Sequence, residues 1–287
     1  MKQRPPPISI SSSAAPCARH GRIFARSPQA GVEVRAEGEV LTLSLSGAVG
    51  DDIRLEDVKS ALAQARGPVA IELNSPGGDV FEGIAIYNAL LAHAGKISIK
   101  VLGLAASAAS IIAMSADELE IGSGAFLMIH NAWALSVGNA DDHEAMSSTL
   151  REVDASLAGI YAARTGKSVA DIAAMMKAET WLNADRSVEL GFADRTAAGP
   201  LPQARFDLRI YAHAPAELQA GAPAVPRLEA RSDLERLLKD AGLSGGAAKA
   251  IAAGGFRALS RDTDHELLTT LNTKLAAATA ELSNLRN

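Results

Sequence analysis

Four residues set far apart in the chain, Gly78, Ser107, His130 and Glu179, are of the types that acyl transfer through a serine requires. That chemistry needs a hydroxyl nucleophile, an imidazole to take its proton, an acid to orient the imidazole, and bare N–H groups for the developing oxyanion. An unperturbed imidazole titrates near ~6.5, which suits His130 to the work of a general base. Glu179 is the candidate acid, and Asp171 and Asp185 remain alternatives for that third place. Each residue also has an ordinary reading: a Pro-Gly-Gly turn, a helix-capping serine, a surface histidine and a solvated glutamate.

The elements that must position these groups are visible as apolar runs. Residues 69–73 form a short run expected as a buried strand, and it ends in Asn74-Ser75-Pro76-Gly77-Gly78. Glycines at such a turn leave their N–H groups open to a substrate oxygen. Residues 97–102 predict a second strand, running into a buried helix from near residue 105 that carries Ser107 on its first turn. There the hydroxyl would lie near unpaired N–H groups and the positive end of the helix dipole. Ser110 and Ser115, farther along, read as structural. The run 126–129 delivers His130 to a strand end, a setting that His20, His93, His143, His213 and His265 lack, so each of those reads as a surface residue. Glu179 precedes Trp181 and a helix expected from near Asn183. With a strand over 40–45 and helices over 52–65 and 79–93, the alternation implies an α/β fold with parallel βαβ units and right-handed crossovers.

These stretches resemble the proteolytic subunit of the Clp serine proteases over about residues 36–196. The resemblance lies in Asn-Ser-Pro-Gly-Gly at 74–78, Gly83-Ile84-Ala85-Ile86-Tyr87, Ala-Ala-Ser at 105–107, Met-Ile-His at 128–130 and Glu189-Leu190-Gly191-Phe192-Ala193-Asp194. It implies the Clp/crotonase fold, Ser107 as nucleophile, His130 as base, Glu179 where the family has aspartate, and the Gly78 and Ala108 N–H groups as the oxyanion hole. Substrate would lie extended beside Gly77, Gly78 and Asp79, pairing as an added strand. No metal or organic cofactor is implied. The Ser107 to His130 interval is slightly shorter than the family's, in an expected loop over 115–124. Leu104 and Asn131-Ala132 also depart from the housekeeping enzymes. Asp79-Val80-Phe81-Glu82-Gly83, the 104–114 segment, Tyr161-Ala162-Ala163-Arg164-Thr165-Gly166 and Glu179-Thr180-Trp181-Leu182 look more like the Clp-related head maturation proteases of tailed phages and prophages. Those enzymes cleave scaffold and capsid proteins, without an unfoldase, in the bacterial cytoplasm inside the prohead. The segment 141–163 corresponds to the helix by which Clp subunits interlock, which implies a homo-oligomer, with a heptameric ring as the family's precedent.

Composition narrows the rest. A net charge of −5 argues against nucleic acid as the main ligand, and no window holds the run of apolar residues that a membrane helix needs. Cys17 is the only cysteine, so internal disulfides and multi-cysteine metal sites are excluded. These features suit a soluble, intracellular protein. Residues 1–29 carry five Lys or Arg and no acid, with runs of proline and serine, and are expected to be a disordered basic extension, although a transit peptide shares that composition. The protease domain is expected over 30–196. A Pro-rich linker with one strand-like patch at 206–210 follows over 197–227, and a helical extension over 228–287. Its last helix repeats apolar residues from Leu268 to Leu285 at a spacing that fits a coiled-coil seam or an ordinary amphipathic helix. Three other readings stand beside the phage protease: a Clp subunit fed by an ATP-dependent unfoldase, a crotonase-type acyl-CoA enzyme, and a non-catalytic scaffold-associated protein.

Overall fold

The computed structural model describes residues 30–37, 40–134, 136 and 138–197, and beyond them 206, 208, 210–215, 218 and 249. The expected N-terminal extension over 1–29, most of the linker and nearly all of the helical extension lie outside these residues.

The described chain builds one mixed sheet flanked by helices. Its first strands are β1 (Gly31–Glu37), β2 (Val40–Ser46), β3 (Val69–Ser75) and β4 (Ile97–Ala106), followed by β5 (Glu118–Gly122), β6 (Phe126–Ile129), β7 (Thr180–Asn183) and β8 (Arg195–Ala197). The helices are α1 (Leu55–Leu62), α2 (Val80–Leu91), α3 (Ala108–Ala113), α4 (Ala140–Thr165), α5 (Val169–Lys177) and α6 (Ala184–Glu189). The main path runs β1-β2-β3-β4-β5-β8, with β6 pairing to both β4 and β7. Pairing is parallel from β2 through β5 and β8, as the βαβ alternation predicts, while β1–β2 and β6–β7 are antiparallel. Leu43, Leu45, Ile71, Leu73, Ile99 and Val101 are almost wholly buried along the three central strands. Each such side chain contributes about 1.5–3 kcal/mol relative to exposure, so these strand ends have little freedom to shift.

The sheet divides at β4. Its first half, Ser98 to Val101, pairs with β5, and its last residues, Leu104 to Ala106, pair with β6 instead. A second irregularity lies between Leu73 and Ser75 of β3, where Asn74 turns its Oδ1 to accept the Leu104 N–H at 3.1 Å. These two offsets place the ends of β3, β4 and β6 side by side. Two expectations are corrected here. The strand over 97–102 continues to Ala106, so the helix begins after Ser107, because the Leu104–Ala106 backbone finds partners on β3 and β6 that outweigh alanine's helical preference. The expected loop over 115–124 contains β5, whose Leu119 and Ile121 are buried between β4 and β8.

Helix α4 is anchored at its C-terminal half, where Val153, Leu157, Ile160, Tyr161 and Arg164 are buried. A capping box between Asn139 and Asp142 starts it, and Gly166, with φ 73°, ends it. Arg164 donates to Phe192 O at 3.2 Å and Ala116 O at 3.0 Å, and pairs with Asp194 at 2.6 Å. This ties α4 to the segments that lead into β5 and β8. The Arg164 side chain is 4% exposed and that of Asp194 25%. Removing one partner of such a pair strands the other, and we predict that Arg164→Met lowers unfolding stability by about 3 kcal/mol. Urea denaturation would show this as a lower midpoint at unchanged slope. An unchanged midpoint would mean that the ion pair does not hold the helix.

Candidate active site

Strand register alone carries the candidate residues together. Ala106 pairs with Met128, so Ser107 leaves β4 beside the end of β6, and its N–H donates to Met128 O at 3.0 Å. Ile129 pairs with Thr180, which sets His130 next to Glu179 at the start of β7. Ser107 Oγ and His130 Nε2 lie 2.7 Å apart, a hydrogen bond of the kind through which an imidazole can take a serine proton.

The backbone at this junction is strained. Ser107 has φ 53° and ψ −125°, the first central position of a type II′ turn, where glycine is the usual residue. Ser107 and Glu179 are the only two non-glycine residues with positive φ among the described residues. Strain of this sort costs about 1–3 kcal/mol per residue and collects at functional sites. The serine occupies the N-cap position of α3, but its side chain makes no capping hydrogen bond and points to His130. Ser110 does the structural work expected of it, donating through Oγ to Ser107 O at 2.6 Å and meeting the Tyr161 hydroxyl at 2.7 Å. Ser115 donates to Ile112 O at 2.7 Å.

The Pro-Gly-Gly turn packs directly on this junction. A Cβ on Gly77 would stand 2.7 Å from both Ala106 O and Ser107 Cβ, and one on Gly78 would stand 2.2 Å from Val49 O. Both positions also have φ above 90°, so glycine is required twice over. Gly77 O accepts from Val49 N at 2.9 Å, and Gly77 N donates to Ser75 Oγ at 3.1 Å. The Gly78 and Ala108 N–H groups donate to nothing among the described residues, Gly78 directly after the Gly77 that packs on Ser107 and Ala108 directly after Ser107 itself. Asp79, expected at the substrate edge, is engaged elsewhere. Its carboxylate caps α2 by accepting from the Phe81 and Glu82 N–H groups, its N–H donates to Val49 O, and its carbonyl accepts from Gly83.

Glu179 is the acid that the fold brings to His130, and its charge is felt there. Asp171 instead sits in the first turn of α5, bonded to the cap residue Ser168, and Asp185 occupies the exposed first turn of α6. The contacts of Glu179 differ from a simple acid–imidazole bond. Its Oε1 accepts from Trp181 Nε1 at 3.1 Å and His213 N at 2.6 Å, and its Oε2 from Ala212 N at 2.9 Å. It therefore acts on His130 through its charge. His213, read from the sequence as a surface residue, is 67% exposed but stands 4.0 Å from Glu179 Oε1. Tyr211 was also missed: its ring meets His130 edge-on with centroids 5.4 Å apart, and its hydroxyl donates to Pro76 O at 2.5 Å. The strand-like patch at 206–210 was its only signal. In the structure Phe206 and Leu208 belong to no strand but are buried.

A serine bonded to an imidazole at the end of the neighbouring strand, with two bare N–H groups beside it, defines a serine-type hydrolase site on a mixed α/β sheet. Residues 58–199 match the family model described as Clp protease. Similar proteins include the ATP-dependent Clp protease proteolytic subunit 3 of Rhodococcus jostii, 29% identical over 163 residues, which are 55% of this chain and 81% of that protein. Proteolytic subunit 1 of Protochlamydia amoebophila is 31% identical over 132 residues, 45% of this chain and 64% of that protein. Proteolytic subunit 2 of Tropheryma whipplei is 29% identical over 128 residues, 44% and 71% of the two chains. The chain is accordingly a serine-type peptidase of the Clp kind. No helix among the described residues is long and apolar enough to cross a membrane.

Burial lowers the pKa of His130 from its usual value of 6.5, and the Glu179 charge partly opposes this. A depressed imidazole keeps its neutral form to lower pH, so its contribution to stability is present above the unfolded pKa and fades as pH falls through the folded one. We predict that the acid limb of kcat/KM on a peptide substrate has its midpoint below 6.5. Glu179→Gln should move that midpoint lower still while slowing the reaction, because the opposing charge is gone. A midpoint above the usual value, or one that rises in the variant, would contradict this electrostatic picture.

Proposed function

We propose that Ser107, His130 and Glu179 form the catalytic triad of an endopeptidase, and that the Gly78 and Ala108 N–H groups form its oxyanion hole. The observation that carries this reading is the 2.7 Å bond between His130 Nε2 and the hydroxyl of a serine held in a strained turn. His130 takes the Ser107 proton as Oγ attacks the peptide carbonyl. The oxyanion of the tetrahedral adduct is met by the two N–H groups, His130 returns the proton to the leaving amine, and water releases the acyl group by the same route in reverse. One oxyanion donor is typically worth about a hundredfold to a thousandfold in rate. The substrate backbone pairs along Gly77 and Gly78; Asp79 is left out of that role because its groups are engaged.

Within this class we favour a prohead maturation protease that cleaves scaffold and capsid proteins and itself, acting in the bacterial cytoplasm as a homo-oligomer. Support comes from the wording of the 79–83, 104–114 and 161–166 segments, and from a chain that runs on to residue 287 beyond a family match ending at 199. The first turns of α4 are exposed while its second half is buried, which suits a helix that meets another subunit. A Clp subunit that works with an ATP-dependent unfoldase is the second reading, favoured by the names of the relatives, each called ATP-dependent.

The two readings separate on purified protein incubated without nucleotide. A maturation protease should show self-cleavage in intact mass spectra, absent from Ser107→Ala, and should cut co-expressed scaffold protein with no ATPase present. Intact wild type that degrades a folded substrate only when an ATP-driven unfoldase is added would favour the second.

A further inference from the structure

Beyond β8, the chain returns to the site with groups that acyl transfer does not need. Phe206, Leu208, Tyr211 and Ala214 are buried in an apolar cluster with Ala48, Leu104, Ala106 and Met128, beside half-buried Trp181. The partners in that cluster all border the site: Leu104 and Ala106 lead into Ser107, Met128 precedes His130 by two residues, and Ala48 adjoins Val49, which bridges to Gly78. Tyr211 reaches the centre. Its hydroxyl donates to Pro76 O at 2.5 Å, its ring stands edge-on to His130, and it meets Trp181 with centroids 5.7 Å apart. The Ser107 side chain is itself a hydrogen-bond partner of that hydroxyl. The next two residues, Ala212 and His213, give their N–H groups to Glu179. One segment thus holds a carbonyl of the turn that a substrate strand would line, the space over the nucleophile, and the acid.

We propose that the segment carrying Phe206, Leu208 and Tyr211 covers Ser107 in cis, as a strap that must withdraw before a substrate reaches the nucleophile. The inference rests on the reading of Ser107 as a peptidase nucleophile. Three observations make the segment an obstruction rather than a helper. What faces Ser107 is a phenol hydroxyl and not a carbonyl, so the strap is not cut where it lies. Burial pushes the Tyr211 hydroxyl well above its ordinary pKa, with the Ser107 bond opposing this and the Glu179 charge adding to it, so the group stays protonated and cannot serve as a base. The Glu179 carboxylate accepts from Trp181 and from two N–H groups of the strap, so it acts on His130 by its charge and not by accepting a hydrogen bond from the imidazole.

The rate at which a fluorophosphonate labels Ser107 reports access to the nucleophile. It would be compared in wild type, Tyr211→Phe, Tyr211→Ala, and a full chain carrying a site-specific protease sequence in place of residues 199–204, cut after folding. Tyr211→Ala and the cut protein should label about tenfold faster, the gain expected if the strap is closed about nine-tenths of the time. Tyr211→Phe, which loses the hydroxyl's bonds to Pro76 O and Ser107 but keeps the ring, should fall between. A synthetic peptide of residues 204–218 should slow the cut protein again. Equal or slower labelling of both Tyr211→Ala and the cut protein, with circular dichroism unchanged, would overturn the strap and leave the peptidase reading intact. Absence of labelling in every variant would remove the nucleophile assignment, and the strap with it.

Discussion

A serine forced into a glycine's conformation is the constraint on which this site depends. At φ 53° and ψ −125°, Ser107 reverses the chain between β4 and α3 and turns its hydroxyl to His130. A conformation costing about 1–3 kcal/mol persists only where surrounding structure holds it. Here the Ser107 N–H is bound to Met128 O, and its carbonyl accepts from the Ser110 and Ile111 N–H groups and from Ser110 Oγ. Ser110 is braced in turn by Tyr161 on α4, and α4 is fixed by the buried Arg164. Gly77 is bare because the turn leaves no room for a Cβ beside Ser107. The long helix, the split of β4 and the double glycine all bear on one dihedral angle.

The second strained residue, Glu179, immediately precedes β7, and the same strand pairing that places His130 also places the acid. Its carboxylate is shared among Trp181, Ala212 and His213, so the acid end of the site is bound to the segment that covers the nucleophile. Strain, burial of His130 and coverage by Tyr211 thus meet within one hydrogen-bonded neighbourhood.

Ser107, His130 and the Gly77-Gly78 turn were legible because each ends an apolar run, and strand ends show in sequence as a change from apolar to polar or glycine. The parallel α/β core followed from the alternation of such runs. The limits were just as physical. Residues 105 and 106 read as helix because alanine favours helices locally, but pairing to β3 and β6 decided otherwise. Strand β7 has four residues and leads straight into a helix capped by Asn183, so local pattern showed only the cap. The choice of Glu179 over Asp171 and Asp185 needed the register between β6 and β7. Tyr211 and His213 reach the site through contacts more than thirty residues away in sequence, and no local periodicity records that.

The central claim, that His130 activates Ser107 as a nucleophile, is tested most directly by peptide mapping of the fluorophosphonate-treated full-length protein, with His130→Ala treated in parallel. A single adduct on Ser107, greatly reduced in the histidine variant, is the predicted result. An adduct on another serine, or one on Ser107 that forms equally fast without His130, would contradict the account.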